Sequence, residues 1–525
     1  MEQIDEGTAL AYPFGGPTAL EPPAEWTELR GSCPIARIKL PSGDEAKLLT
    51  RYADVKSVLS DDRFSRLLSA PDAARIVDSE SGGVFNDAMS TVIPQSGPGH
   101  LRWRRQITRW FAAKRMMRLR PAIEGMAEEL IDAMVAEGCP FDPPPQLREI
   151  QEQAPITKVR LWNGDTPWLV TGYAEQRQLL GDPRVSSDMG RPGFPRLVPT
   201  APNAPANPGL SFISMDDPDH ARLRRMVTSQ FAIKRIESMR PAVQRIVDDL
   251  IDELLAGPKP VDLVEAFALP VPSLVICELL GVPYSDHGFF QDNSKVLIRR
   301  SIDPEVRAAA SARLRWYLND LLEEKTREPK DDLLSQLTGR IASGELTQDE
   351  AVQMGVLMLI AGHETTANMI ALGTFALLEH SEQLDRLRDT DDPKLVAHAV
   401  DELLRYLNIT HSGRMRMVVE DIEIAGHTLR AGDGVIMAND IGNRDPAAFD
   451  DPYRLDIGRE ARHHVAFGFG VHQCLGQPLA RLELQAVYGT LYRRIPTLRL
   501  AASSADVPLK HDGFVYGVYE LPVTW

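Results

Sequence analysis

Phe467-Gly468-Phe469-Gly470-Val471-His472-Gln473-Cys474-Leu475-Gly476, near the C-terminus, decides how the rest of this chain is interpreted. Its cysteine lies in a loop punctuated by glycines, and the apolar spacing after Gly476 predicts a helix. Amides at the start of a helix stabilise a thiolate that lies next to them, so we expect a lowered pKa for Cys474. Glycines let backbone approach a flat ligand, and a thiolate is a good ligand for iron. The stretch therefore predicts an iron-ligating cysteine rather than a buried structural one.

Composition indicates a large intracellular protein. The chain has 525 residues, 43% of them hydrophobic, and its formal net charge of −16 argues against nucleic acid or an anionic membrane as the main partner. No signal peptide is visible, and the longest apolar run, Val356 to Ala361, is too short to span a bilayer. We expect a soluble, cytoplasmic protein. Four cysteines lie far apart, which excludes a disulfide framework and fits a reducing compartment: Cys33, Cys139, Cys277 and Cys474.

The first half of the chain contains an internal repeat. Residues 34–40 match residues 155–161 at an offset of 121, and residues 100–105 match residues 220–225 at an offset of 120. The match fades after Ala136, and an irregular, proline-rich stretch follows, so we place a domain boundary near Gly138. Residues 1–138 are interpreted as a partial duplicate without a site of its own, and residues 139–525 as the complete catalytic domain. Either copy could pack against the catalytic half, and we favour the second because it is continuous with it.

The hydrophobic pattern predicts a mainly α-helical fold with small β-sheets. Each copy begins with a hairpin, turning at Ser42-Gly43-Asp44 or at Asn163-Gly164-Asp165, followed by a short helix, a variable loop and a basic helix. Further helices are predicted at residues 240–255, 273–280, 306–325, 331–342, 347–379 and 393–406, and strands at residues 415–419, 422–424 and 434–437.

Ala361-Gly362-His363-Glu364-Thr365-Thr366 places polar residues within a long apolar helix. A glycine leaves room beside a helix, and a threonine hydroxyl can divert a backbone carbonyl and widen a turn. A solvent-exposed polar face is the alternative, but the apolar residues on both sides indicate that the stretch is buried. It therefore predicts a functional groove in a buried helix.

Together, the cysteine loop, this groove, the Glu402-Leu403-Leu404-Arg405 motif and the basic helix resemble the cytochrome P450 family in order and spacing. The resemblance implies a fold in which haem b lies between a long central helix and the cysteine-containing loop and helix. Glu402 and Arg405 are then a structural pair that braces the haem pocket. The implied site residues are Cys474 as iron ligand, Phe467 and Gly468 in the haem loop, Glu364 as proton-relaying acid, Thr365 as the alcohol that binds dioxygen, and His220, Arg224, Arg416 and His472 as partners of the haem propionates. Arg414, on the same strand face as Arg416, is the competing candidate.

Residues 139–525 most resemble the soluble bacterial subfamily that includes a vitamin D hydroxylase and polyene-macrolide oxidases. The resemblance implies a haem-thiolate monooxygenase that hydroxylates or epoxidises a bulky hydrophobic molecule, such as a steroid, secosteroid or polyketide. Electrons would come from a ferredoxin and a ferredoxin reductase, which Arg222 and Arg225 could dock, unless these arginines are ordinary surface charge. The segments expected to line the pocket are residues 187–212, 289–301 and 409–412.

Two alternatives stay open at this point. A peroxide-driven relative typically lacks the acid–alcohol pair seen here as Glu364 and Thr365. A haem-binding protein without turnover would use its duplicated segment to block the pocket or to form a dimer. The first copy repeats the propionate partners as His100 and Arg104, but it lacks the other motifs, so we do not assign haem binding to it.

Overall fold

The computed structural model describes residues 9–12, 14, 23–33, 35–61, 63–64, 74, 97–108, 145–197, 211–298, 302–410, 413–511 and 515–525. The chain divides into two compact units, Met1–Ala136 and Glu137–Trp525. The boundary predicted near Gly138 lies outside the described residues. The origin of the first unit by duplication stays a prediction.

The described part of the first unit contains three strands and three helices. Strands β1, β2 and β3 are Leu10–Ala11, Ile35–Lys39 and Glu45–Leu49, and helices α1, α2 and α3 are Ala24–Ser32, Tyr52–Ser60 and Gly97–Thr108. β2 pairs with β1 in parallel and with β3 in antiparallel. The β2–β3 turn contains Gly43 at a φ of 86°, a left-handed conformation that favours glycine, and it matches the predicted hairpin. Ala36 and Ile38 on one face of β2 are buried, as is Leu29 of α1.

The second unit is mainly α-helical. Its helices α4 to α16 are, in chain order, Pro145–Gln153, Tyr173–Gly181, Asp219–Thr228, Ile233–Ala256, Pro270–Leu280, His287–Ile298, Pro304–Arg327, Leu333–Ala342, Gln348–Glu379, Ser381–Arg388, Pro393–Tyr406, Asn439–Gly442 and Gln477–Arg494. Single turns of 3-10 helix include Ser211–Ser214 and Gly470–His472. Among the described residues no helix combines the length and apolar character needed to cross a membrane.

Short strands form three small sheets in this unit. Strands β4 to β13 are Ile156–Lys158, Trp168–Val170, Val185–Ser186, Val261–Asp262, Arg414–Val418, Ile422–Ile424, His427–Leu429, Gly434–Met437, Arg499–Leu500 and Pro522–Thr524. The largest sheet has the order β4-β5-β11-β8-β6, with β5 and β11 parallel. β8 is therefore held between β11 and β6 by antiparallel pairing. The predicted mainly α-helical fold with small sheets is confirmed.

The long helix α12 runs through the core of the second unit. It begins at a capping box, in which Thr347 and Glu350 each hydrogen-bond the other's backbone amide, and it continues without interruption to Glu379. The helix is continuous through Gly362. A Cβ atom at Gly362 would lie 2.6 Å from Ile276 Cδ1, so the glycine allows close packing of α8.

The two repeated segments fold into the same local elements but are buried to different degrees. Helices α2 and α5 occupy matching positions, and each is followed by an Asp–Arg pair, Asp61–Arg63 or Asp182–Arg184, at 2.6 Å. Leu180 on α5 is 9% exposed, whereas its counterpart Leu59 on α2 is 82% exposed. The repeated residues past Thr108 in the first copy lie outside the described residues.

The Glu402–Arg405 pair is completely buried, as expected from its position in the motif. Arg405 donates to both carboxylate oxygens of Glu402, at 2.7 and 2.8 Å, and its remaining N–H groups reach the carbonyl oxygens of Asn443 and Pro452. Glu402 also accepts from Arg459 and from the backbone amide of Asp456. One ion pair on α14 thus holds the segment from residue 443 to residue 459 against the helix.

Glu402→Ala should lower the free energy of unfolding by about 3–5 kcal/mol, because it leaves the Arg405 charge buried without a partner. Glu237→Ala is the matched control: it breaks an exposed Glu–Arg pair, also three residues apart on a helix, and should cost less than about 1 kcal/mol. Denaturant unfolding of both variants measures the difference. Equal losses would contradict the bracing role.

Removing residues 1–138 should leave the remaining chain folded and able to bind haem, because the second unit contains its own core and every residue assigned to the site. Circular dichroism and the absorption spectrum of the reduced carbon-monoxide complex measure the two properties. Loss of haem binding from a truncated protein that remains helical would show that the first unit completes the site.

Candidate active site

The cysteine loop joins the 3-10 turn Gly470–His472 to the start of α16. The backbone amide of Cys474 donates to Phe467 O at 2.8 Å, which closes the loop on itself. The amides of Gly476 and Gln477, at the first turn of α16, hydrogen-bond the cysteine sulfur. The predicted position of the sulfur at a helix N-terminus is confirmed.

Burial nevertheless raises the pKa of the Cys474 thiol, against the expectation of a lowered pKa. The two amides and the charges of Arg414 and Arg224 act in the opposite direction, but desolvation is larger. The side chain is accessible to solvent and yet surrounded by protein, so it lines an internal cleft. A bound metal ion reverses this balance, since a coordinating thiol loses its proton outright.

The loop glycines serve different purposes. Gly468 and Gly470 both have a φ of 73°, a left-handed conformation that other residues rarely adopt. A Cβ atom at Gly470 would lie 2.2 Å from Leu180 O, so this glycine allows contact with α5 and not with a ligand. At Gly476 the nearest atom to such a Cβ is the Cys474 sulfur, at 4.0 Å, which leaves open space beside the thiol.

His220, Arg224 and His472 meet beside the cysteine. Arg224 donates to Gln473 O at 2.5 Å, and the rings of His220 and His472 lie 4.1 Å apart. His220 is buried, and one ring nitrogen contacts Asp217 at 2.9 Å, while Nε2 has no hydrogen-bond partner among the residues that the structure describes. Burial, followed by the positive charges around it, lowers the pKa of His472 to about 3. The structure thus brings three of the predicted residues together, around the His220 Nε2 atom that lacks a hydrogen-bond partner among the described residues.

Arg414 and Arg416 project from β8 toward the same loop. Arg414 donates to Ala466 O at 2.7 Å, and its guanidinium nitrogen would lie 3.3 Å from a Cβ atom at Gly468. Arg416 donates to the adjacent Met415 O at 2.7 Å. Burial lowers the pKa of each arginine to about 10, and for Arg416 the charge of Arg414 adds to the effect. Both arginines lie close to the cysteine loop, so the competition between them stays open.

This cluster carries more positive charge than the nearby carboxylates balance, although Asp217 contacts His220 and the charge of Asp216 partly offsets the lowered pKa of Arg416. Among the described residues, none of Arg224, Arg414 and Arg416 has an acidic side chain within ion-pair distance. Their hydrogen bonds go to backbone carbonyls, and the His220 Nε2 atom is left unpaired. Buried charges require a counter-charge, so the cluster fits a ligand that brings anionic oxygens next to the Cys474 sulfur. The two propionates of haem b meet this requirement.

The central helix opens toward solvent at one point. Ala361 is exposed although most residues around it on α12 are buried, and Thr365, one turn later, is half-buried. Thr365 Oγ1 donates to Ala361 O at 2.8 Å, which confirms that the threonine hydroxyl engages a helix carbonyl. The turn from Ala361 to Thr365 therefore lines a cleft.

Glu364 points away from that opening. Its side chain is 1% exposed, and its carboxylate lies 3.5 Å from His363 Nε2 and 3.5 Å from Asn368 Nδ2. Asn368 in turn accepts from Lys510 Nζ at 3.1 Å. Sequence reasoning missed Asn368 and Lys510, since the only signal was a polar residue one turn after Glu364.

Other expectations have mixed outcomes. The adjacent histidines before the cysteine loop make structural contacts: His463 stacks on Phe449 with ring centroids 4.5 Å apart, and His464 contacts Asp401. Among the described residues no group of acidic, histidine and cysteine side chains could hold a metal ion. Ile409 packs against the core, whereas residues 198–210, 299–301 and 411–412 of the expected pocket segments lie outside the described residues.

Comparison with known proteins supplies the family. The family model for cytochrome P450 matches residues 299–496. Cytochrome P450 GfsF of Streptomyces halstedii is 54% identical over 394 residues, 74% of this chain and 94% of that protein. Vitamin D3 dihydroxylase of Streptomyces griseolus is 46% identical over 389 residues, 74% of this chain and 95% of that protein.

Solved structures agree with this result. The crystal structure of GfsF matches with a TM-score of 0.70 at 52% identity, covering 74% of this chain and 98% of that one. CYP105P1 in complex with filipin I matches with a TM-score of 0.68 at 41% identity, covering 74% of this chain and 97% of that one. Proteins of this family bind haem b, which fits the thiol, the open space and the unpaired positive charges described above. This chain belongs to the cytochrome P450 family of haem-dependent oxidoreductases.

Proposed function

We propose that this chain is a cytoplasmic haem-thiolate monooxygenase that hydroxylates or epoxidises a bulky hydrophobic small molecule. The observation that carries the proposal is the cluster of unpaired positive charges around a thiol at a helix N-terminus. This combination fits haem b and leaves the exposed turn of α12 free to face a substrate. Within this proposal, residues 139–525 form the catalytic domain. The relatives support that assignment, since their alignments of 388 to 396 residues are about as long as the second unit.

Cys474 would ligate the iron, and the residues around it would hold the porphyrin. His220, Arg224, Arg416 and His472, together with Arg414, would bind the propionates. Gly476 leaves space at the thiol, and Phe467 and Gly468 shape the loop beside it. When bound, the haem supplies activation of dioxygen and insertion of one oxygen atom into the substrate. The protein supplies the thiolate, the counter-charges and the shape of the cleft.

Thr365 and Glu364 would manage protons on the opposite side of the cleft. The Thr365 hydroxyl borders the opening beside Ala361, where it can hydrogen-bond dioxygen in exchange for its bond to the Ala361 carbonyl. Glu364 is held in the core one residue earlier and would deliver protons from there. An acid kept away from bulk water limits premature proton transfer, which suits a reaction that must consume protons in step with electrons.

The proposed substrate class is supported by the relatives and by apolar side chains that are only partly buried. One relative is named vitamin D3 dihydroxylase, and another was solved in complex with filipin I. The side chains of Ile360 and Ile409, which are only partly buried against the core, are apolar. A secosteroid, steroid or polyketide therefore fits better than a small polar molecule.

A ferredoxin and its reductase would supply the electrons. Arg222 is a weaker docking candidate than the sequence suggested, because it forms an ion pair with Glu350. Arg225 is exposed, and its side chain donates to Ala221 O in its own helix. An exposed arginine near the cysteine loop suits an acidic partner, so Arg225 is the better candidate.

Cys474→Ala should abolish the red-shifted absorption band of the reduced carbon-monoxide complex, because that band requires a thiolate ligand. Cys277→Ala is the matched control, since Cys277 is a buried cysteine on α8 away from the loop, and it should retain the band. Retention of the band in Cys474→Ala would contradict the ligand assignment.

Titration with vitamin D3 and with filipin I should show a shift of the haem absorption band for at least one of the two compounds. The responding compound, incubated with a surrogate ferredoxin, reductase, NADPH and dioxygen, should give a product heavier by one oxygen atom, measured by mass spectrometry. Thr365→Ala should lower the product formed per NADPH. A band shift without any oxygenated product would instead support a haem-binding protein without turnover.

A further inference from the structure

A chain of polar side chains links Glu364 to the C-terminal segment of the protein. Asn368 Nδ2 donates to Glu364 O at 2.7 Å and lies 3.5 Å from Glu364 Oε2. Asn368 Oδ1 accepts from Lys510 Nζ at 3.1 Å. Both Glu364 and Asn368 are buried, whereas Lys510 is half-buried. The chain therefore runs from the core of α12 to the rim of the protein.

The backbone of the C-terminal segment is shaped around the asparagine. A Cβ atom at Gly517 would lie 1.7 Å from Asn368 Oδ1, so only glycine fits against this side chain. Lys510 N donates to Gly517 O at 2.8 Å, and Leu509 forms an antiparallel bridge with Val518. The same hairpin thus provides the ammonium group and the space that the Asn368 carbonyl occupies.

The Lys510 ammonium group and the Glu364 backbone carbonyl together determine which way the Asn368 amide points. A buried asparagine is costly unless its polar atoms are paired, and its oxygen and nitrogen could in principle exchange places. Lys510 can only donate and the Glu364 carbonyl oxygen can only accept, so both favour the orientation in which Oδ1 faces the hairpin and Nδ2 faces Glu364. With the amide reversed, Oδ1 would face the Glu364 carboxylate and repel it.

We propose that Asn368 and Lys510 are positioning residues for Glu364, which set the resting place of its carboxylate in the core beside the cleft. This inference rests on the proposed function, in which Glu364 delivers protons to the reaction. His363 Nε2 makes the other contact, at 3.5 Å from Oε1, whereas Lys510 reaches Glu364 only through Asn368. The C-terminal hairpin thereby determines the position that the Glu364 carboxylate occupies before it delivers a proton.

The test compares crystal structures of the full-length, haem-loaded protein carrying Lys510→Met, Lys510→Arg or Asn368→Leu. Lys510→Met and Asn368→Leu should displace the Glu364 carboxylate from its contact at residue 368, and Lys510→Arg should restore it. Lys259→Met is the matched control, because Lys259 also contacts the C-terminal segment, through the Trp525 ring and carbonyl, without reaching Glu364. That variant should leave Glu364 in place.

A functional readout separates positioning from a structural role. With a surrogate ferredoxin, reductase and vitamin D3, Lys510→Met should raise the ratio of hydrogen peroxide released to NADPH consumed, and Lys510→Arg should restore the ratio. In the Glu364→Gln background the same Lys510→Met change should have no further effect, because the two residues act through one carboxylate.

The outcomes distinguish the two proposals. An unchanged Glu364 position in both Lys510→Met and Asn368→Leu overturns the positioning role, whatever happens to turnover. A displaced Glu364 together with a peroxide ratio that Glu364→Gln itself does not alter leaves the positioning intact but removes the proton-delivering role assumed for Glu364. If Asn368→Leu does not fold, the position of the Glu364 carboxylate in Lys510→Met and Lys510→Arg is the test.

Discussion

In the part of the chain that the structure describes, this site depends on inward-facing positive charge that the nearby carboxylates balance only in part. Arg224, Arg414 and Arg416 are each held by backbone carbonyls, which orient a guanidinium but do not neutralise it. Buried positive charge of this kind carries an electrostatic cost, which the two propionates of haem b would reduce. The thiol of Cys474 shows the complementary behaviour, since burial favours its neutral form until a metal ion binds. The arginines would balance the charge of the haem propionates, and the haem iron would stabilise the thiolate of Cys474.

The scaffold that holds these charges is built from contacts that are distant in sequence. Arg416 lies on β8, whose position is set by pairing with β11 and β6. The loop that carries Cys474 is held by α16 on one side and by the contact between Gly470 and Leu180 on the other. The buried Glu402–Arg405 pair fixes the chain leading to that loop. All of these contacts are made within the core. They therefore hold β8, the cysteine loop and the segment before the loop in place beside an open cleft.

The sequence predicted the regular elements well because local periodicity determines them. The central helix was expected at 347–379 and is found at Gln348–Glu379, and the strands at 422–424 and 434–437 match the structure. The reasons for individual glycines were not predictable, because Gly362 and Gly470 are required by Ile276 and Leu180, which belong to other elements. The link between Asn368 and Lys510 joins residues 142 positions apart, and no local pattern indicates it.

The repeated segments show that local sequence determines where a helix forms but not how deeply the helix is buried. In the second unit, Tyr173 of α5 donates to His463 O, and Gln176 donates to Ala438 O, which are contacts with residues far along the chain. Tyr52, the counterpart of Tyr173, is 80% exposed, although α2 has the same bounds in its own segment. The repeated sequence therefore forms a helix in both copies, but the burial of that helix depends on the elements that pack against it. By the same reasoning, we propose that a histidine and an arginine at matching positions act as propionate partners only where a cysteine loop and β8 surround them.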